Sequence, residues 1–293
     1  MKRILILGFL LFTALFLNAQ TENTSKALKY LQEGELDSAR IAIDSAALDE
    51  STAAEPTTWY YKGFIYKELY KKKEIENPSS GFREEAMRSF QQSMLLDTAG
   101  RLLEDNVSNI NFLASSHYND AIKTLNVQDY QISIRNFNQY KIAKLSIDST
   151  IKLTDREIEY NLGLSTVYVE ISESDSSRKD EFLQKAKDAY SLVIQLDQGN
   201  LSANYNMGII YYNEAVDMIL NLPYDVDLII LSTTQDNCIK LFKQSLPHME
   251  LAITAEPDNV NTLEGLAGIY YSLNEFDKSN EYKSKIEQIL QDD

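Results

Sequence analysis

The stretch Asn204-Tyr-Asn-Met-Gly-Ile-Ile-Tyr211 is matched far upstream by Trp59-Tyr-Tyr-Lys-Gly-Phe-Ile-Tyr66. In both, a glycine follows the first residue by four positions and a tyrosine follows it by seven, the spacing of one face of an α-helix. A glycine on such a face lets a second helix approach closely, and the large residues beside it fill the remaining gap. The stretch therefore reads first as a packing face.

A second pattern sits downstream of each such face. Ala39/Ile43/Ala46, Ala86/Phe90/Ser93, Ser133/Phe137/Tyr140, Ala186/Tyr190/Val193 and Ser245/Met249/Ala252 share one spacing, and Pro257 follows the last of them. The two patterns also share a phase. Counting from Ala186 as position 20, Asn200 is position 34 and Gly208 is position 8 of the next unit; from Ser245, Asn259 and Ala267 take those places. Unrelated helices would not keep a period of about 34 residues.

Together these motifs resemble the tetratricopeptide repeat, W-x2-L-G-x2-Y followed by A-x3-F-x2-A and a proline. The resemblance covers most of residues 24–290, and it looks like the type exported by Bacteroidetes. It implies an all-α, right-handed α-solenoid of about six helix-turn-helix units. Ala27, Tyr30, Gly34 and Ala39 mark the first unit, and Leu266, Ala267, Tyr270 and Phe276 mark the sixth. The opening helix of the third, near Asp105 to Thr124, matches poorly.

Several units depart from the pattern by insertion. Position 11 should precede position 20 by about nine residues, yet Tyr66 precedes Ala86 by 20 and Tyr211 precedes Ser245 by 34. The second unit's insert, KELYKKKEIENPSSGF (67–82), ends in a Pro-Ser-Ser-Gly turn. The fourth unit's insert, EISESDSSRKDE (170–181), reads as a mobile polar loop. The fifth contains LNLPYDVDLIIL (220–231), which is expected either to extend both helices or to fold back on the array. Pro247 should either kink the closing helix of that unit or start it.

The N-terminus has the layout of a secretory signal peptide: Lys2 and Arg3, an apolar run from Ile4 to Leu17, then Asn18-Ala19-Gln20. The run is short for a membrane span, which needs about 20 residues. The expected division is a signal peptide over 1–19 and a solenoid over 20–293, with no transmembrane segment after cleavage and a periplasmic or cell-envelope location. No cysteine lies near the cleavage site to carry a lipid, and the single cysteine, Cys238, cannot form an internal disulfide. Losing Lys2 and Arg3 takes the net charge from −16 to −18. A surface so acidic repels phosphate backbones, so nucleic acid is not an expected partner.

Catalytic ingredients are sparse. His117 and His248 are far apart in sequence and read as ordinary helix-surface or half-buried residues, and Cys238 reads as a small hydrophobe. Ser176-Ser-Arg-Lys179 has the S-x-x-K spacing of serine acyl-enzymes without companion motifs. Phosphate-loop, nucleophile-elbow, zinc-protease and calcium-loop patterns are missing. No enzyme activity, cofactor or metal is expected. Asp37-Ser38-Ala39, Asp44-Ser45-Ala46, Asp97-Thr98-Ala99 and Asp148-Ser149-Thr150 resemble an O-glycosylation signal of exported Bacteroidetes proteins, but capping explains the same residues.

The resemblance also implies where a partner binds, since positions 2, 5, 9 and 12 of each first helix face the concave side. Carried over, these give Thr57, Tyr60, Phe64 and Lys67, then Tyr160, Leu164 and Val167, then Tyr205, Ile209 and Tyr212, and finally Asn261, Glu264, Gly268 and Tyr271. Position 6 is Asn161 and Asn206 in successive units. Asparagine can donate to and accept from an extended peptide, and tyrosine offers rigid apolar area with a polar tip. The expected partner-binding groove is Tyr60, Phe64, Tyr160, Asn161, Tyr205, Asn206, Ile209, Tyr212 and Tyr271. The same tyrosines would serve equally to pack one unit on the next. The lysine and arginine clamp for a C-terminal carboxylate is lacking, because Asn261 and Gly265 hold positions 2 and 6 of the last unit. The expected function is a scaffold that binds a protein or peptide. A glycan-binding accessory protein of the envelope is the alternative, and an unrecognised hydrolase a more distant one.

Overall fold

A computed structural model describes residues 22–292, so the signal peptide expected over 1–19 lies outside the described residues. The described residues contain helices and turns and no strand. They divide into two compact units after Lys152.

The first unit holds α1 (22–32), α2 (Leu36–Leu48), a short α3 (Glu50–Ala53), α4 (Pro56–Leu69), α5 (Gly81–Leu96), α6 (Leu103–Lys123) and α7 (Tyr130–Ile147). The hairpins α1/α2, α4/α5 and α6/α7 stack in chain order. The second unit holds α8 (Thr154–Ser174), α9 (Lys179–Leu196), α10 (Leu201–Leu220), α11 (Leu228–Ala255), α12 (Val260–Ser272) and α13 (Phe276–Asp292), again as three stacked hairpins. Each unit is thus a short solenoid, in which a hairpin buries its apolar face only against its neighbours.

The downstream pattern maps onto the core without exception. All fifteen residues of the five downstream triplets are buried on α2, α5, α7, α9 and α11. The phase has a local cause as well. Asn200 and Asn259, the position-34 residues, are N-caps whose side chains accept from Ala203 N and Thr262 N at 3.0 Å each. Capping satisfies an amide that the first turn of a helix leaves without an intrahelical partner. At the other end, Gly34 (φ 79°) and Asn274 (φ 61°) close α1 and α12 in the left-handed conformation. Each turn pairs a six-residue and a four-residue backbone bond, Glu35 N to Tyr30 O and Gly34 N to Leu31 O in the first.

The insertions are mostly helical. The polar run over 170–181 is not a loop: it continues α8 to Ser174, makes one 3-10 turn over Ser176–Arg178 and opens α9 at Lys179. Asp175 makes this possible by accepting from Ser177 N at 3.0 Å, so serines read as loop-formers serve as a cap. The fifth insert extends both of its helices, and Pro247 lies inside the 28-residue α11 rather than at its start. The second insert adds a π-helical turn, Tyr70–Glu74, before Ser80 caps α5 by accepting from Arg83 N at 3.1 Å. The poorly matching third opening helix is a full 21 residues. Its register shows in Ser133 Oγ donating to Ala121 O at 2.7 Å, which makes Ala121 the position-8 residue.

Candidate functional site on the first helices

The nine residues expected to form a groove are divided between the two compact units. Tyr60 and Phe64 stand on α4 in the first unit, and the other seven lie in the second. The Tyr60 ring packs 6.0 Å from Phe90, and burial raises its hydroxyl pKa. Phe64 lies 4.3 Å beneath the Lys67 ammonium, which donates to Asn109 Oδ1 on α6 at 2.6 Å. Burial lowers the pKa of that ammonium.

In the second unit, Tyr160 and Asn161 are buried, and Asn161 turns its amide back to Glu157 O at 2.7 Å. Tyr205, Ile209 and Tyr212 rest against the core of the last two hairpins. The Tyr212 ring is 5.7 Å from Phe242, and its hydroxyl is 2.7 Å from where a side chain on Gly268 would begin, so α12 can approach only because residue 268 is glycine. Tyr271 is 58% exposed and edge-on to Phe276 at 5.4 Å.

One cavity does bring expected residues together. Asn206 and Ile209 of α10 meet Val169 and Glu173 of α8 and Leu183 of α9 around about 280 Å³. Asn206 Nδ2 donates to Ser202 O at 2.8 Å, which leaves Oδ1 to accept from a guest. Two ion pairs edge the space, Lys179 with Asp217 and Lys187 with Glu214 at 2.8 Å. Glu173 is exposed and makes no ion pair among the described residues, so the cavity is a part-apolar space with one unneutralised carboxylate. A second, smaller space of about 130 Å³ lies beside Tyr205, between α10 and α12.

Sequence reasoning missed a buried polar cluster in the first unit. Arg83 is 1% exposed; it donates to Asp120, to Ser116 Oγ at 2.9 Å, and to Pro78 O and Asn136 Oδ1 at 2.9 Å each. His117, expected on the helix surface or half-buried, is 2% exposed and donates from Nδ1 to the same Asn136 oxygen at 2.8 Å. Burial first, and the Arg83 guanidinium second, lower its pKa to about 4. The signal available was the second insert itself, because its π turn carries Tyr70 and its closing turn carries Pro78 and Ser80 into this cluster. His248 is half-buried, bonded through Nδ1 to Asn204 Oδ1 at 2.8 Å, and burial lowers its pKa too. Among the described residues, no group of histidine, cysteine and acidic side chains is arranged to hold a metal ion.

The architecture is therefore that of an all-α helical-hairpin array with an open, part-polar cavity between α8, α9 and α10. No protein-family model matches the chain, and no curated protein matches it. Among solved structures, a TPR repeats protein from Bacteroides fragilis is similar at 13% identity and TM-score 0.45, over 91% of this chain and 99% of that one. The MamA protein is similar at 14% identity and TM-score 0.28, over 93% and 92% of the two chains. An IFIT1 mutant solved with m7Gppp-AAAA is similar at 15% identity and TM-score 0.32, over 90% of this chain and 58% of that one. With every TM-score below 0.5, nothing about this chain's function follows from them.

Proposed function

We propose that the chain is a non-enzymatic, exported scaffold of the cell envelope that holds a segment of another protein against its first helices. The observation that carries this reading is the convergence of Asn206 and Ile209 on the α8–α9–α10 cavity. Ile209, Ile210 and Leu183 offer apolar contact to one side chain of the guest, while Asn206 Oδ1 and Glu173 accept hydrogen bonds from its backbone N–H or a cationic side chain. A peptide supplies such donors at every residue, and a phosphate backbone supplies acceptors instead, so protein is favoured over nucleic acid. The N-terminal layout of Lys2, Arg3 and the run from Ile4 to Leu17 supports export.

The test is cross-linking in envelope extract with wild type and an Asn206→Ala/Ile209→Ser variant. Both positions are partly exposed, and because Ile209 also packs against the last two hairpins, the variant is first shown to unfold at the wild-type temperature. Selective loss of a cross-linked protein supports the reading; equal recovery of every species overturns it.

A further inference from the structure

The fifth hairpin carries the longest helix among the described residues, the 28-residue α11, and its tip is apolar without being covered. Leu228, Ile229 and Ile230 are 79%, 76% and 55% exposed at the start of α11, and Tyr224 in the connecting turn is fully exposed. Four consecutive apolar residues, Leu228 to Leu231, pass around the whole circumference of a helix, so no single neighbour can bury them all. Beneath the tip is a cavity of about 440 Å³, lined by Ile219, Leu222, Leu231, Ile239 and Phe242, with Tyr271 at the end of α12. An exposed apolar ridge beside an apolar cavity is the usual mark of an interaction surface.

Charge decides what fits there. No lysine, arginine or histidine occurs from Asp188 to Ile239, and Lys240, one turn after Asp236 on α11, is the first beyond the tip. Asp225, Asp227 and Asp236 flank the apolar run, and none makes an ion pair among the described residues. Asp227 is used locally, accepting from Ile229 N at 2.7 Å as the cap of α11. Lys283 stands 5.3 Å over the Tyr271 ring on the α12 side of the cavity, and the tip itself carries no basic residue. A second copy would set aspartate against aspartate in a chain of net charge −16, and an anionic bilayer would be repelled likewise. We propose that the apolar tip of α10 and α11 is a docking site for an amphipathic helix of a partner protein, with its apolar face along Ile229 and Ile230 and on Ile219, Leu231 and Tyr271, and its flanking lysines or arginines on Asp225 and Asp236. The site is separate from the α8–α9–α10 cavity, so either can fail without the other.

The experiment uses the full chain and three labelled helical peptides of about five turns. One has a leucine stripe flanked by lysines, one keeps the lysines and replaces the leucines with serine, and one keeps the leucines and replaces the lysines with glutamate. Saturable binding of the first, with each of the others weaker by about tenfold or more, is the expected result. Ile229→Ser/Ile230→Ser should weaken the first peptide by about tenfold with unchanged thermal unfolding, because both side chains face solvent. Asp225→Asn/Asp236→Asn should weaken it less and flatten its salt dependence. Equal binding of all three peptides, or full affinity in Ile229→Ser/Ile230→Ser, overturns the proposal. So does a concentration-dependent dimer abolished by Ile229→Ser/Ile230→Ser, which assigns the tip to a second copy, or sedimentation with phosphatidylcholine vesicles abolished by it, which assigns the tip to a membrane.

Discussion

Ser245 donates its hydroxyl to the carbonyl of Gly208 at 2.7 Å, joining α11 to α10 beside the glycine notch. The same bond, between position 20 and position 8, recurs from Ser133 to Ala121 O at 2.7 Å and from Ser279 to Ala267 O at 2.8 Å. Above it, Met249 fills the notch: a Cβ on Gly208 would lie 2.7 Å from Met249 Cγ and Sδ, and one on Gly265 would lie 2.6 Å from its Cε. The methionine is wedged between two glycines and cannot yield to one side.

Gly208→Ala should therefore destabilise the second unit by about 1–3 kcal/mol of overpacking, reduced by at most about 1 kcal/mol of helix propensity. Gly208→Leu should cost more. Thermal or urea unfolding measures both, and wild-type stability of Gly208→Leu would count against close α10–α11 packing. Ser245→Ala should cost only about 1 kcal/mol, since it removes the donor and leaves no new buried polar group on α11.

Asp120→Ala leaves the buried Arg83 guanidinium without its carboxylate. Breaking such a pair from one side costs about 3–5 kcal/mol. The loss should appear as an early unfolding transition of the first unit, with tyrosine and tryptophan fluorescence as probes. A change within about 0.5 kcal/mol would mean that the cluster is hydrated and the charge screened.

His117 makes the first unit sensitive to acid. Its folded pKa is about 4 against an ordinary 6.5, so between those values the unfolded chain binds a proton that the folded chain excludes. The stabilisation is complete above pH 6.5 and is lost as pH falls toward 4, by about 3 kcal/mol across the window. His117→Gln should flatten the stability profile between pH 7 and pH 4.5 relative to wild type. Parallel profiles would show that the imidazole does not titrate in this way.

Cys238 is 4% exposed, its thiol directed at Ala215 O at 3.4 Å, and burial raises its pKa. Alkylation of the native protein at pH 8 should be slower than that of the urea-unfolded chain by about tenfold or more. Equal rates would place the thiol on the surface.

The periodic parts of this fold were legible because helical packing writes itself into residue size. Ala86, Phe90 and Ser93 declare a buried stripe at sequence level, and the structure buries all three. Gly63 against Phe90 and Gly208 against Met249 repeat one contact, so a matching spacing in sequence is a matching contact in space. What failed was inference from polarity. The run around Ser172 to Ser177 is helical because Asp175 and the serines satisfy backbone groups at a helix end. His117 is buried because residues 70, 78, 83, 120 and 136, scattered along the chain, supply it with a polar environment.

The candidate site was legible only in part, for the same reason. Position within a repeat predicts which side of a helix a residue occupies, and Asn206 and Ile209 do line an open cavity. It does not predict how near the next helix comes. Tyr212 is held by Phe242 and Gly268, and Tyr160 and Asn161 are buried, although the repeat assigns all of them to the same face as Asn206.

By itself, the sequence determined the helical class, the order of the hairpins, the repeat phase marked by Asn200 and Asn259, and the glycines where helices touch. These depend on residues within one or two turns or at a fixed period. Tertiary structure alone decided which tyrosines are packed and which are open, that Arg83 and His117 share one buried cluster, and that the fifth insert leaves Leu228 to Ile230 uncovered. Each of these rests on the separation between elements distant in sequence, which no local pattern encodes.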